Sequence, residues 1–153
     1  MKKTDLLIIS SLRQNAREKL TEMSRKTRIP VSTLFDRIRL HEGSIIQKHT
    51  ALVDFGKLGY NTRANIILKV KKEDRNTVRE FLTKHSSVNS AFKINNGYDF
   101  SVEAIFRNIR EVEDFIELLE EKFSIKSKQV FYIIDDLKKE EFLSNPAIIS
   151  FGN

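Results

Sequence analysis

Seven side chains between residues 25 and 39 are of the types that grip a nucleic acid: Arg25, Lys26, Ser32, Thr33, Asp36, Arg37 and Arg39. Lysine and arginine neutralise phosphate, and Ser or Thr hydroxyls bond phosphate or a base edge. A guanidinium such as that of Arg37 can hold guanine, or the backbone, through two parallel bonds. Asp36 would repel phosphate, so its partner is Arg39 or Lys26, or else a cytosine amino group. Lys48 lies further along and could rest on phosphate. His49 beside it reads as an exposed imidazole.

Other chemistry finds little support. His41, His49 and His85 lack metal-ligand spacing and have no nucleophile arranged beside them. Asp135-Asp136 and Glu140-Glu141 are adjacent pairs, which point apart on a regular element and read as solvated charge. Glu117, Glu120 and Glu121 read as an exposed helix face. No glycine-rich loop could cradle a phosphate. The chain has no cysteine, which removes disulfides and thiolate metal sites and fits a reducing cytoplasm. No resident metal or cofactor is expected.

Charge marks out the same region. Residues 1–50 carry eleven Lys/Arg against five Asp/Glu, whereas residues 51–153 carry sixteen of each. A basic part joined to a neutral one implies that the first meets a polyanion and the second something else. Aromatic residues divide at the same place, since among eleven Phe and three Tyr only Phe35 precedes residue 50. Two differently built cores imply two domains. No apolar run approaches the roughly 20 residues needed to cross a bilayer. Leu6–Ile9 is also too short for the core of a signal peptide. The expected location is the cytoplasm, away from membranes.

The elements that must position the basic residues are short helices. Asp5, Ile8, Ile9, Leu12 and Ala16 predict a helix over 4–15, capped by Thr4. A second helix over 20–27 turns Leu20 and Met23 inward and Arg25 and Lys26 outward. Thr27-Arg28-Ile29-Pro30 is a tight turn. A third helix over 31–41 buries Leu34 and Ile38. Ser32, Thr33 and Arg37 should then project from an exposed ridge, in a helix-turn-helix built to enter a major groove. Gly43-Ser44, Ile45-Ile46 and Gln47-Lys48-His49 have the layout of a wing, and residues 50–54 that of a linker strand.

Beyond the double-glycine turn at 55–60 the periods alternate. Strands are predicted at 64–70, 88–94, 98–106 and 130–134, with helices at 76–85 and 109–123. Asn95-Asn96-Gly97 forms a hairpin turn between the middle strands. The order strand-helix-strand-strand-helix-strand is the ferredoxin-like sandwich, with both helices on one face of an antiparallel sheet. The uncovered face predicts a homodimer through this domain. The expected class is α+β, with these boundaries: a winged helix-turn-helix at 1–48, a linker strand and hinge at 49–60, the sandwich at 61–140 and a tail at 141–153.

Several of these segments resemble the Lrp/AsnC, or feast/famine, family. Asp5-x-x-Ile8-Ile9-x-x-Leu12-x-x-Asn15-Ala16-Arg17 is similar to its opening helix. Ile29 to Ile38 is similar to its recognition helix in archaeal members. Asp54-Phe55-x-Lys57-Leu58-Gly59-Tyr60 resembles its interdomain junction, and Gly97-Tyr98-Asp99 its effector hairpin. The resemblance covers nearly the whole chain in the right order. It implies a sequence-specific regulator of transcription on double-stranded DNA, with dimers formed through the C-terminal sheets and, in many members, octameric rings. It also implies an amino-acid effector at the contact between dimers, near Asn96, Gly97, Tyr98 and Asp99. Four positions depart from the pattern. Arg28 and Asn96 stand where the family usually has glycine, Lys19 replaces a small capping residue, and Leu40–Gly43 is one residue short. Two other functions remain open on this scaffold: an enzyme like the siroheme decarboxylases, and a mixed-assembly partner of other family members. The excess charge on the first domain speaks against the enzyme.

Overall fold

The structure is a computed structural model that describes residues 1–151. It divides into two compact units, one comprising Met1–Leu52 with the segment from Leu137 onward, the other Val53–Asp136.

The first unit holds three helices, α1 (Lys3–Gln14), α2 (Leu20–Thr27) and α3 (Val31–His41), and a short C-terminal helix, α6 (Pro146–Phe151). Ile8, Met23 and Leu34, one from each of the first three helices, are fully buried, and Leu12, Leu20, Ile29 and Ile38 pack around them. α2 ends where Arg28 turns left-handed (φ 59°, ψ 27°) and donates its N–H to the Ser24 carbonyl. Pro30 then starts α3, where its missing N–H is no loss.

Three expectations for this unit need correction. Thr4 lies inside α1 rather than capping it, and the N-cap, Lys2, makes no side-chain bond. No wing forms, because Ser44 N and Ile46 N both donate to the His41 carbonyl, and Gly43 N donates to the Ile46 carbonyl. This closes the turn on itself, leaving one isolated bridge, Glu42 to Ile46. Residues 47–54 carry no regular structure, having no second strand in the unit to pair with. The segment expected as a tail from residue 141 contains the short helix α6, which packs on α1.

The second unit runs β1 (Thr62–Val70), α4 (Arg75–Lys84), β2 (Val88–Lys93), β3 (Phe100–Phe106), α5 (Ile109–Lys122) and β4 (Ile125–Tyr132). The sheet order is β2-β3-β1-β4 with every neighbouring pair antiparallel, which is the ferredoxin-like arrangement. Ala64, Ile66, Leu68 and Val70 of β1 and Phe100, Val102, Ala104 and Phe106 of β3 point to one face. They pack there with Val78 and Leu82 of α4 and with Val112, Phe115, Ile116 and Leu119 of α5. α5 starts at Asn108, whose side chain accepts the Glu111 N–H at 3.0 Å.

β4 starts earlier than its predicted 130–134. It is an edge strand whose first half, Ile125-Lys-Ser-Lys-Gln, is mostly exposed and polar, so no apolar alternation marks it. The 55–60 junction is a 3₁₀ turn over Phe55–Leu58. Asp54 caps it by accepting the Lys57 N–H, and Gly59 closes it at φ 90°, a conformation that glycine adopts without strain.

Candidate nucleic-acid interface

α3 displays its polar residues and buries only part of its apolar ones. Ser32, Thr33, Asp36 and Arg39 are exposed, Leu34 is buried and Ile38 half-buried. Arg25 and Lys26 are exposed on α2, and Lys48 is exposed beyond α3. Arg25 pairs with Glu22 at 2.5 Å, and Lys26 pairs with Glu18 rather than with Asp36. The exposed Arg25–Glu22 pair is of the kind that contributes about 0–1 kcal/mol, so Arg25 is not locked, whereas the Glu18 partner of Lys26 is mostly buried. Asp36 and Arg39 make no ion pair among the described residues. His49 Nε2 lies 3.1 Å from Glu42 Oε1 at the exposed surface, as an ordinary imidazole would.

Arg37 departs from the ridge expected of it. Its Nε and Nη2 donate to the two carboxylate oxygens of Asp5 at 2.7 and 2.5 Å, a bidentate fork between α1 and α3. Asp5 is buried, and His41, one turn after Arg37, brings Nε2 to 3.2 Å from Asp5 Oδ1. The Arg37 fork, helped by His41, holds the Asp5 carboxyl well below the usual carboxylate range against the opposing effect of burial. The same bond raises Arg37. The guanidinium edge expected to meet guanine is therefore turned inward. Its position on α3 is that of a buttress, fixing the helix against α1.

Sequence reasoning passed over other cations at this end of the chain. Arg17 and Lys19 are exposed between α1 and α2, and Arg28 is exposed at the left-handed turn between α2 and α3. For Arg28 a signal was available, since no carboxylate lies one helical turn away in the sequence. Phe35 and Leu40 are also exposed on α3, by 52 % and 61 %, which helical spacing around Leu34 allows but does not demand.

The hairpin of the second unit is held by its own residues. Asn96 and Gly97 sit exposed at the tip with φ 62° and 86°. The Tyr98 hydroxyl accepts from Gln129 Nε2 at 3.0 Å. Asp99 Oδ2 accepts the Val70 N–H at 2.8 Å, and its Oδ1 meets Arg75 Nε at 2.8 Å. Tyr98 and Asp99 thus hold backbone and helix in place, whereas Asn96 and Gly97 face solvent. Across the sheet from the helices, Arg63, Asn65, Ile67, Ser101, Glu103 and Ile105 line the second face. There Arg63 bridges Asp136 and Glu103, and burial leaves its Nε without a partner. The bonds to these two carboxylates, Asp136 first, raise the Arg63 guanidinium against burial.

A basic helical unit with an exposed polar third helix, joined to a βαββαβ sandwich, defines a two-part architecture of the kind found in transcriptional regulators. Residues 63–142 match the Lrp/AsnC ligand binding domain. The chain belongs to the Lrp/AsnC family. It is 33 % identical over 116 residues to the HTH-type transcriptional regulator FL11 of Pyrococcus horikoshii, covering 75 % of this chain and 77 % of the relative. It is 24 % identical over 143 residues to an uncharacterized HTH-type transcriptional regulator of Pyrococcus furiosus, covering 93 % and 96 %. Among solved structures, a transcriptional regulator of Neisseria meningitidis in complex with L-Met superposes with a TM-score of 0.83 at 21 % identity, covering 91 % and 93 %. LrpC of Bacillus subtilis superposes with a TM-score of 0.81 at 22 % identity, covering 90 % and 97 %. At these identities the structures speak for the fold.

Proposed function

We propose that the chain is a DNA-binding transcriptional regulator, rather than an enzyme, and that α2 and α3 act as a helix-turn-helix. The observation that carries this reading is the exposed ridge of Ser32, Thr33, Asp36 and Arg39 on α3, set in the one basic region of the chain. Relatives named HTH-type transcriptional regulators support it. In this reading Ser32, Thr33 and Arg39 meet base edges, and Asp36 accepts from a cytosine amino group or steadies Arg39. Arg25, Lys26, Arg28 and Lys48 meet phosphates, while Arg37 orients the helix from behind. Two copies join through the second sheet face, giving the homodimer that two half-sites require, and dimers can assemble further. An amino acid binds at the exposed tip formed by Asn96 and Gly97, the L-Met complex of the Neisseria meningitidis neighbour being the support for that ligand class.

The test uses a duplex selected from random DNA by the protein itself. Binding to it should weaken steeply with salt as condensed counterions are released. Arg39→Ala should cost about 1–3 kcal/mol on the selected duplex and little on random DNA, whereas Lys48→Ala should weaken both alike and lower the salt slope by about 1. A flat salt response, or Arg39→Ala without effect, removes α3 as the interface.

A further inference from the structure

The C-terminal segment makes contacts that the DNA-binding reading leaves unused. After β4, Ile133 N still donates to the Arg63 carbonyl at 2.9 Å, and Arg63 then grips the Asp136 carboxylate through Nη1 and Nη2 at 2.7 and 3.0 Å. Only Leu137, Lys138 and Lys139 follow before a second arginine takes hold. Arg13 of α1 donates Nη2 to the Glu140 carbonyl at 2.9 Å and to its Oε2 at 3.2 Å, and Nε to the Phe142 carbonyl at 2.5 Å. Ser144 Oγ lies within bonding distance of both the carbonyl and the carboxylate of Glu141, which tightens the turn before α6, and α6 packs on α1.

Two details mark this segment as a fastening. Glu140 and Leu143 are both left-handed at φ 55°, an unfavourable conformation for residues with a side chain. Two such residues close together persist where surrounding contacts over-determine them. The family match ends at residue 142, before α6 begins at Pro146.

We propose that residues 137–149 form a clip that limits how far the α1–α3 unit can swing, so that the spacing of two DNA half-sites becomes part of recognition. This rests on the DNA-binding reading above. Four Cα steps separate Asp136 from Glu140, so the leash between the two arginine anchors spans at most about 15 Å. The chain therefore passes between the two units twice, after Leu52 and after Asp136. A unit so tethered reaches a displaced half-site less readily than one on a single linker, because effective concentration collapses when a tether cannot span its sites.

Two variants test the clip: full-length Arg13→Ala, and a chain that stops after Asp136. Hydrogen exchange reads the clip without DNA. Exchange of amides 140–149 in Arg13→Ala should rise at least about tenfold over the wild type. The duplex selected by the wild type, with half a helical turn inserted between its half-sites, reads the spacing. The wild type should lose at least about tenfold in affinity on the insertion, and both variants less than about threefold, with affinity for one half-site unchanged. Unaltered exchange in Arg13→Ala overturns the proposal, as does an unchanged spacing penalty in both variants. If the wild type binds no selected duplex, the DNA-binding reading falls and the clip's role falls with it. Intact binding that ignores the variants removes the clip alone.

Discussion

The two units solve the problem of holding helices in place by opposite means. In the sandwich, buried positions are apolar throughout, from Ala64 in β1 to Leu119 in α5. In the helical unit, among the described residues, the buried apolar ones are Ile8, Met23 and Leu34, and Asp5, Ser10, Ser11 and His41 are buried beside them. A large dry core tolerates the loss of one contact, since many others remain. A small core shares the task with directed polar bonds, which specify geometry at the cost of sensitivity to charge. The interface helix α3 is placed by the second method, with Leu34 as its one buried apolar anchor and Arg37 and His41 leaning on Asp5.

That contrast can be broken or sharpened by substitution, and the largest effect belongs to the small core. Leu34→Ala should cost about 3 kcal/mol and melt the helical unit while the sandwich stays folded, giving two steps in a thermal scan followed by hydrogen exchange. Leu82→Ala removes the same atoms from the larger core and should leave the sandwich folded at room temperature. A single shared transition in Leu34→Ala would show that the units are not energetically separate.

Acid should divide the units next. Because the folded-state pKa of Asp5 is depressed, its stabilising contribution is complete above the unfolded carboxylate value of about 3.9 and is lost as pH falls below that. The helical unit should therefore open first on acidification, read by amide exchange in α1 and α3. Asp5→Asn should start from lower stability at neutral pH and lose this dependence on acid. Identical acid midpoints for the wild type and Asp5→Asn would remove the buttress from the account.

Two smaller effects, of opposite sign, test single backbone positions. Asn108→Ala removes the cap of α5 and should cost about 1 kcal/mol, within reach of a denaturant titration of the sandwich. Arg28→Gly relieves a left-handed side chain and should stabilise the helical unit by roughly 0.5–1 kcal/mol. A destabilised Arg28→Gly would mean that the arginine side chain makes up for its backbone.

What the sequence disclosed follows from the range of each interaction. α2 and α3 were legible to the residue, because Leu20 and Met23, Leu34 and Ile38, and the turn at Pro30 are local signals. The alternation of Phe100, Val102, Ala104 and Phe106 marked β3 in the same way. The first part of β4 escaped because Lys126 to Gln129 of this edge strand are exposed and polar and show no alternating pattern. Arg37 was misplaced for a different reason. Its partner Asp5 lies 32 residues away on another helix, and nothing in the spacing of either helix reveals that their charged faces meet. The grip of Arg13 on the C-terminal segment is longer in range still, and no periodicity could announce it.

The Asp99 carboxylate ties the hairpin to the end of β1 through Val70 and to the first turn of α4 through Arg75. Three pieces of backbone therefore share one pivot. Removing that one carboxylate should loosen all three together.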